Sequence, residues 1–445
     1  MSRFSRGLTS PRRLRRGGFS LIEVVVGVAL VLILFLALFG VLRASLLVSS
    51  LARAKAGATT VAQAHMEYLR GLSYSALGTV GGIPAGAVAQ DIVTNANGIP
   101  YALHTFISYV DDAADGIGAA DENLITTDYK RARVTVSYVA IGQEKEVGIV
   151  SNFAPAGVET SSGGGTLEIH AVDATGAPVS AASVTIVNPL TVPAVNLATF
   201  TNSAGAVYLP GAATSTGYQI SVAKNGYSSA QTYARDTTNQ NPNPGYLTVV
   251  QNQTTVGTFA IDLLSTFDLS TRTESGTTTV PLPNVSFTLT GEKTVGSTGS
   301  GDPLYKTTVT DSTGASAAAS LTLEWDTYAL SVTGYDITDA CPSPPFALAP
   351  GAAASASLTL GPATEHSLRT FVSDNAGAPV AGALVTLSRT GFSKTMTSSS
   401  CGSAYVGALT AAADYTLTLE KSGYTTTVLT GVSVSGPTAL GASFP

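Results

Sequence analysis

The sequence predicts an α+β head, made of one long N-terminal helix and a small antiparallel sheet, followed by three all-β sandwiches. Three observations predict it. Residues 24–42 carry no charge and run on into an amphipathic stripe that ends at Gly71. Strand-like alternation with turn signals recurs after residue 165 with a period close to 100 residues. Charged residues make up 12% of the 445, while Gly (45) and Pro (21) are plentiful, which suits short uncharged strands and turns better than a helical enzyme core.

The same composition narrows the function. Two cysteines exclude a four-cysteine zinc site, and four scattered histidines offer neither metal-ligand spacing nor a triad. No Gly-x-Ser-x-Gly elbow and no phosphate-binding glycine loop is present, so an enzyme is not expected. A formal charge of -6 gives nucleic acid no basic surface to hold.

The N-terminus sets the class. Residues 1–18 hold six arginines and no acid, and Phe19-Ser20-Leu21-Ile22-Glu23 follows Gly18. The uncharged run Val24–Leu42 spans ~28 Å as a helix, close to the thickness of a bilayer core. Its basic flank is expected to stay cytoplasmic, with the remainder exported. A secretory signal has a shorter apolar core and a small-residue cleavage site after it. Here the small pair Gly17-Gly18 precedes the run, so cleavage there would discard the arginines and keep the membrane helix. Six of 23 basic residues and none of the 29 acids would leave with it, taking the net charge to -12.

A basic leader ending in Gly18, an aromatic first mature residue Phe19 and Glu23 as the fifth mature residue resemble the type IV prepilin family. The resemblance implies that a membrane prepilin peptidase cuts after Gly18 and methylates the amino terminus of Phe19. It further implies a single-pass protein of the bacterial inner membrane that joins other pilin subunits in an extracellular filament or at the cell surface. Glu23 has its own physical role. A carboxylate in hydrocarbon costs ~2.5–3.5 kcal/mol and seeks a partner, and the Phe19 amine of a neighbouring subunit is the nearest candidate, which would fix the axial register of assembly.

Beyond Arg43, Leu47, Leu51, Ala54, Ala58, Ala62, Met66 and Leu69 recur at three or four residues and extend the helix over 19–70. Gly40 and Gly57 weaken that continuity. Leu72–Gly98 shows few strand signals, whereas Tyr101–Val110, Arg131–Tyr138 and Glu144–Val150 read as antiparallel strands of a headgroup spanning 71–153. Glu67–Tyr74 followed by Gly81-Gly82-Ile83-Pro84 is similar to minor pilins of the PilV type. Between two of those strands lies Asp111-Asp112-Ala113-Ala114-Asp115-Gly116-Ile117-Gly118-Ala119-Ala120-Asp121-Glu122. Its five carboxylates repel one another unless solvated or bridged by a cation. Acids at the first, fifth and twelfth places and glycine at the sixth match an EF-hand loop, but Ala113 at the third does not. The reading is a solvated acidic turn or a looser calcium loop using Asp111, Asp115, Asp121 and Glu122.

Residues 154–165 form a linker. After it, Gly176-Ala177-Pro178-Val179 recurs as Gly377-Ala378-Pro379-Val380, and Pro281–Phe287 occupies the midpoint. Each unit has a turn glycine (Gly205, Gly314, Gly402), a strand opening on tyrosine (Tyr218, Tyr328, Tyr415) and a Gly-Tyr pair (Gly226-Tyr227, Gly334-Tyr335, Gly423-Tyr424). These are taken as antiparallel sandwiches over 166–264, 265–362 and 363–445. The pattern resembles carboxypeptidase-regulatory-like domains, close in fold to transthyretin-like, Ig-like and adhesin B-type modules. The intramolecular Lys–Asn isopeptide bond of adhesin modules is not expected, because the opening strands Leu167–Val172 and Leu368–Val372 contain no lysine. Cys341 and Cys401, in the second and third units, are a candidate disulfide in an oxidising compartment, bonded or free.

Together these features predict a minor subunit of a type IV pilus-like filament whose three sandwiches form an arm for adhesion or surface contact, with a glycan or a cell-surface molecule as its ligand. The alternatives are a type II secretion pseudopilin-like component and a membrane-anchored cell-surface binding protein.

Overall fold

The computed structural model describes residues 20–112, 126–155 and 163–445. The chain divides into two compact units: residues 1–73, 89–106 and 132–151, and residues 74–88, 107–131 and 152–445.

In the first unit one continuous helix runs over Leu21–Arg70, about 75 Å at 1.5 Å per residue. Ser20 caps it through a reciprocal pair: the Glu23 N–H donates to Ser20 Oγ (3.2 Å) and the Ser20 N–H to Glu23 Oε2 (3.3 Å). This capping box satisfies two main-chain donors that a helix start leaves open. The outer half buries Ala54, Ala58, Ala62, Met66 and Leu69, and Leu47 remains exposed. Gly57 does not interrupt the helix. A Cβ there would overlap the Tyr101 hydroxyl, which donates to the Ala54 carbonyl at 3.0 Å. Gly57 is the space that lets a buried tyrosine dock on the helix backbone.

The headgroup sheet has four strands in sequential order: Asp91–Ala96, Ile99–Val110, Tyr129–Ala140 and Gln143–Phe153. The first of them falls in a stretch where few strand signals were expected. It pairs antiparallel with the second across an Asn97-Gly98 turn in which both residues have positive φ (55° and 79°), as a two-residue hairpin requires.

The second unit contains the three sandwiches. In the first, a sheet built on Ser183–Asn188, Val195–Phe200 and Ser215–Ala223 accompanies a sheet of Gly165–Val172, Ala206–Ala212 and Thr254–Ala260. The third repeats the plan, with Leu384–Arg389, Phe392–Thr397, Ala412–Glu420 and Thr427–Val434 beside Ser367–Ser373, Ser403–Val406 and Pro437–Ser443. The sandwiches are not wholly antiparallel. In each, the first strand pairs in parallel with the last: Gly165–Val172 with Thr254–Ala260, Ser265–Ser275 with Ala353–Pro362, and Ser367–Ser373 with Pro437–Ser443. A last strand that enters from the opposite sheet arrives in the same direction as the first.

The repeated residues hold this plan. Asp173 Oδ1 accepts from the N–H groups of Thr175 and Ala177 (2.8 and 2.9 Å), and Asp374 Oδ1 from those of Ala376 and Ala378 (2.9 and 2.8 Å). The turn so formed lays Pro178 and Pro379 back on the opening strand. Gly205 and Gly402 lie under it with φ 69° and 78°. A Cβ at either would press on a strand carbonyl and on the proline ring. Tyr218, Tyr328 and Tyr415 are fully buried, and each hydroxyl donates to a carbonyl four or five residues upstream: Ala213 (2.7 Å), Glu324 (3.0 Å) and Thr410 (2.9 Å). They are corner posts of the core.

Candidate functional site

Along the first half of the helix the large apolar side chains from Leu21 to Val48 are all exposed. The helix is long and apolar enough to cross a membrane. No soluble packing explains such a face, whereas lipid or neighbouring helices of the same kind would cover it. Gly18 and Phe19 lie outside the described residues. Glu23 sits in the first helical turn, where its carboxylate already serves Ser20. The Ser20-x-x-Glu23 spacing is that of a capping box and is legible in the sequence.

The acidic headgroup loop is described only at its ends. Asp111 and Asp112 precede the gap, and the Asp112 N–H donates to the Asp128 carboxylate. Asp115, Asp121 and Glu122 lie outside the described residues. Among the described residues no group of three or more His, Cys, Asp or Glu is placed to hold a metal ion.

Lys130, on the strand beside that loop, went unnoticed in the sequence. Its ammonium is buried and donates to the carbonyls of Tyr74 and Leu77, both at 2.7 Å. The rings of Tyr74 and Tyr109 flank it at 4.6 and 5.3 Å. Burial pulls its pKa down to about 8. The arrangement ties the irregular segment 74–88 to the strand.

The sandwiches are cross-braced where they meet. Between the first and second, Asn241–Pro242 pairs with Thr294–Ser297, adding a strand from one sandwich to a hairpin of the next. Beside it Glu324, 7% exposed, accepts from Lys306 Nζ (2.7 Å), Thr307 Oγ1 (2.7 Å) and Lys293 Nζ (3.4 Å). Lys306 also donates to the Ser229 carbonyl of the first sandwich (2.7 Å). The Lys293 ammonium lies 3.3 Å from the Trp325 ring centre, so one face of this half-buried indole is taken by a cation. Burial works against the charge on both Lys293 and Glu324. It prevails at Lys293, whose pKa falls, whereas hydrogen bonds from Lys306 and Thr307 hold Glu324 below its ordinary range. The carboxylate is therefore matched chiefly by Lys306.

Between the second and third sandwiches, Cys341 and Cys401 form a disulfide with their Cα atoms 5.3 Å apart. Around it Tyr405 Oη donates to Asp336 (2.6 Å), Ser399 Oγ to Asp339 (2.9 Å) and Arg369 to Ser343 Oγ (3.1 Å). The bridge closes a 60-residue separation, which corresponds to ~4 kcal/mol of chain entropy. Reduction is expected to lower the unfolding midpoint of the sandwich region. Mass mapping under non-reducing conditions should recover the Cys341 and Cys401 peptides joined, and two free thiols would contradict the pairing.

Residues 13–39 match the prokaryotic N-terminal methylation motif. The chain carries a prepilin-type motif at its N-terminus. Such motifs are processed by prepilin peptidase and are the part by which pilin subunits assemble with one another, and the exposed helix beside this one is long and apolar enough to anchor in a membrane. Residues 367–444 match the carboxypeptidase regulatory-like domain, the whole of the third sandwich. No curated protein matches the chain in sequence. Solved structures similar to it include the Bacillus anthracis TIE protein (14% identity, 80% of this chain and 73% of that one, TM-score 0.19). The shaft pilin SpaA of Lactobacillus rhamnosus GG is 14% identical over 41% of this chain and 97% of its own, with a TM-score of 0.16. The minor pilin of the Gram-positive pathogen Streptococcus agalactiae is 12% identical over 44% and 95%, with a TM-score of 0.21.

Proposed function

We propose that this pilin-type chain is a minor subunit of a type IV pilus-like filament and that its three sandwiches form a contact arm. One observation carries the proposal: an exposed membrane helix with a methylation motif is joined to about 280 residues of sandwich, braced at both joints. A subunit packed at every position of a filament has little room for such bulk. A spacer that meets a surface benefits from joints that transmit force instead of folding over, and here an added strand, an ion cluster and a disulfide supply that stiffness. In this reading prepilin peptidase cuts after Gly18, Phe19 becomes the methylated terminus, and Glu23 accepts a neighbour's amine during assembly. Its capping bond to Ser20 orients the carboxylate before that partner arrives.

Immunogold labelling of intact cells with antibody to residues 166–445 tests the reading. Label along filaments or at their tips is expected. Label found only after the envelope is opened would favour the pseudopilin-like alternative.

A further inference from the structure

The first sandwich differs from the third in one respect that bears on binding. Between the strand Ser215–Ala223 and the last strand of the first sandwich lie 30 residues (224–253), against 16 (421–436) at the corresponding place in the third. The longer segment turns back along the Ser215–Ala223 edge of its own sheet. It is held there by Ala230–Gln231 pairing with Ser215–Ala223, by the Thr232 hydroxyl accepting from the Ile220 N–H (2.9 Å), and by the Tyr233 N–H donating to the Pro244 carbonyl (2.9 Å). The result is a cleft of about 290 Å³. In the third sandwich the matching face carries Thr386, Thr416 and Thr418, and the shorter segment there forms a single regular strand, Thr427–Val434, along the same edge.

The floor of the cleft is set by register. Thr185, Ser221 and Gln231 lie side by side on three strands, with Val187 and Gln219 in the next row. Tyr233 and Tyr246 form the wall. No charged side chain lines it. Burial and the nearby Glu324 carboxylate raise the Tyr233 pKa, so its hydroxyl stays a neutral donor. Two tyrosines beside amide and hydroxyl side chains, none of them charged, suit a ligand that has apolar C–H groups and many uncharged hydroxyls. An anion would find no cation among the lining residues, and a purely apolar ligand would strip water from Thr185, Gln219, Ser221 and Gln231 without replacing it.

We propose that this cleft binds a neutral carbohydrate, with Tyr246 and Tyr233 against the sugar face and Gln219, Gln231, Ser221 and Thr185 bonding its hydroxyls. Its volume, near the lower end of the ~300–1,000 Å³ of small-molecule sites, fits the end of a chain and not its length. The inference rests on the arm being a contact module, and it names the chemistry of the contact.

The full mature chain in detergent micelles, applied to an array of neutral and of sialylated or sulfated oligosaccharides, tests it, with titration calorimetry of the strongest binder at low and high salt. A neutral oligosaccharide is expected to bind with little salt dependence. Tyr246→Ala and Gln219→Ala should each weaken it about tenfold, roughly the loss of one stacking or hydrogen-bonding contact. Thr386→Ala, on the matching face of the third sandwich, should leave it unchanged. Unaltered unfolding midpoints would show that the cleft variants fold. No binding above bare micelles, binding confined to anionic glycans, or binding untouched by both cleft substitutions would each overturn the proposal. These outcomes leave the position of the arm on the cell, read separately by immunogold, undisturbed.

Discussion

Replacing Lys130 with alanine is expected to destabilise the protein by ~3 kcal/mol, the largest effect of any single headgroup substitution. Two hydrogen bonds from a charged donor to main-chain carbonyls disappear, each worth ~1.5–3 kcal/mol, along with contacts to two tyrosine rings. Relief of the cost of burying the ammonium offsets part of the loss. Lys130→Met keeps the stem and the packing, so it should cost about half as much. Thermal unfolding gives the magnitude, and hydrogen exchange should show the protection of residues 74–88 falling first. The pH dependence has a definite sign. The folded pKa of about 8 lies below the ordinary lysine value of 10.5, so the fold favours the neutral amine. Wild-type stability should therefore rise as pH climbs from 8 towards 10.5, and the methionine variant should lack that rise. Equal unfolding of wild type and alanine variant would show that Lys130 ties nothing down.

Glu324→Ala should loosen the joint between the first and second sandwiches by ~3–5 kcal/mol, because it strands partly buried Lys306 and Lys293 without their common partner. Glu324→Gln keeps an acceptor for the Thr307 hydroxyl and should cost less. The carboxyl is held below its ordinary value of 4.5. Its contribution is thus fully present above that value and is lost as pH falls through the lower folded pKa. Limited proteolysis at residues 224–253 reports the joint directly, and faster cleavage is expected in the alanine variant at neutral pH and in wild type once the pH falls well below 4.5. Cleavage of the variant at the wild-type rate would show that the ion cluster does not brace the joint.

What the sequence disclosed followed from periodicity. The helix was legible to within two residues because apolar side chains recur along it without a gap, and the sandwiches because turn residues repeat at fixed offsets. The strand Asp91–Ala96 was hidden because neither of its faces is fully buried, and only the Asn97-Gly98 turn betrayed it. The parallel pairing of first and last strands could not be read, since alternation encodes which face is buried and not which strand lies alongside. Lys130 looked like one more charge beside Arg131, and its burial depends on Tyr74 and Leu77, more than fifty residues earlier. Gly57 is a weak point of the helix by propensity alone, and its purpose depends on Tyr101, 44 residues later, whose hydroxyl occupies the space. The cleft of the first sandwich had no motif at all, because it arises from an insertion turning back along a sheet of ordinary Thr, Ser and Gln residues.

The most direct test of a processed, filament-borne subunit is the intact mass of this chain recovered from filaments sheared off the cells. The expected result is a single species that begins at N-methylated Phe19, lacks residues 1–18 and keeps Cys341 and Cys401 oxidised, with Gly18→Val absent from the sheared fraction and retained in the membrane at full length. Recovery of the chain only from membranes, or with residues 1–18 still attached in wild-type cells, would contradict it.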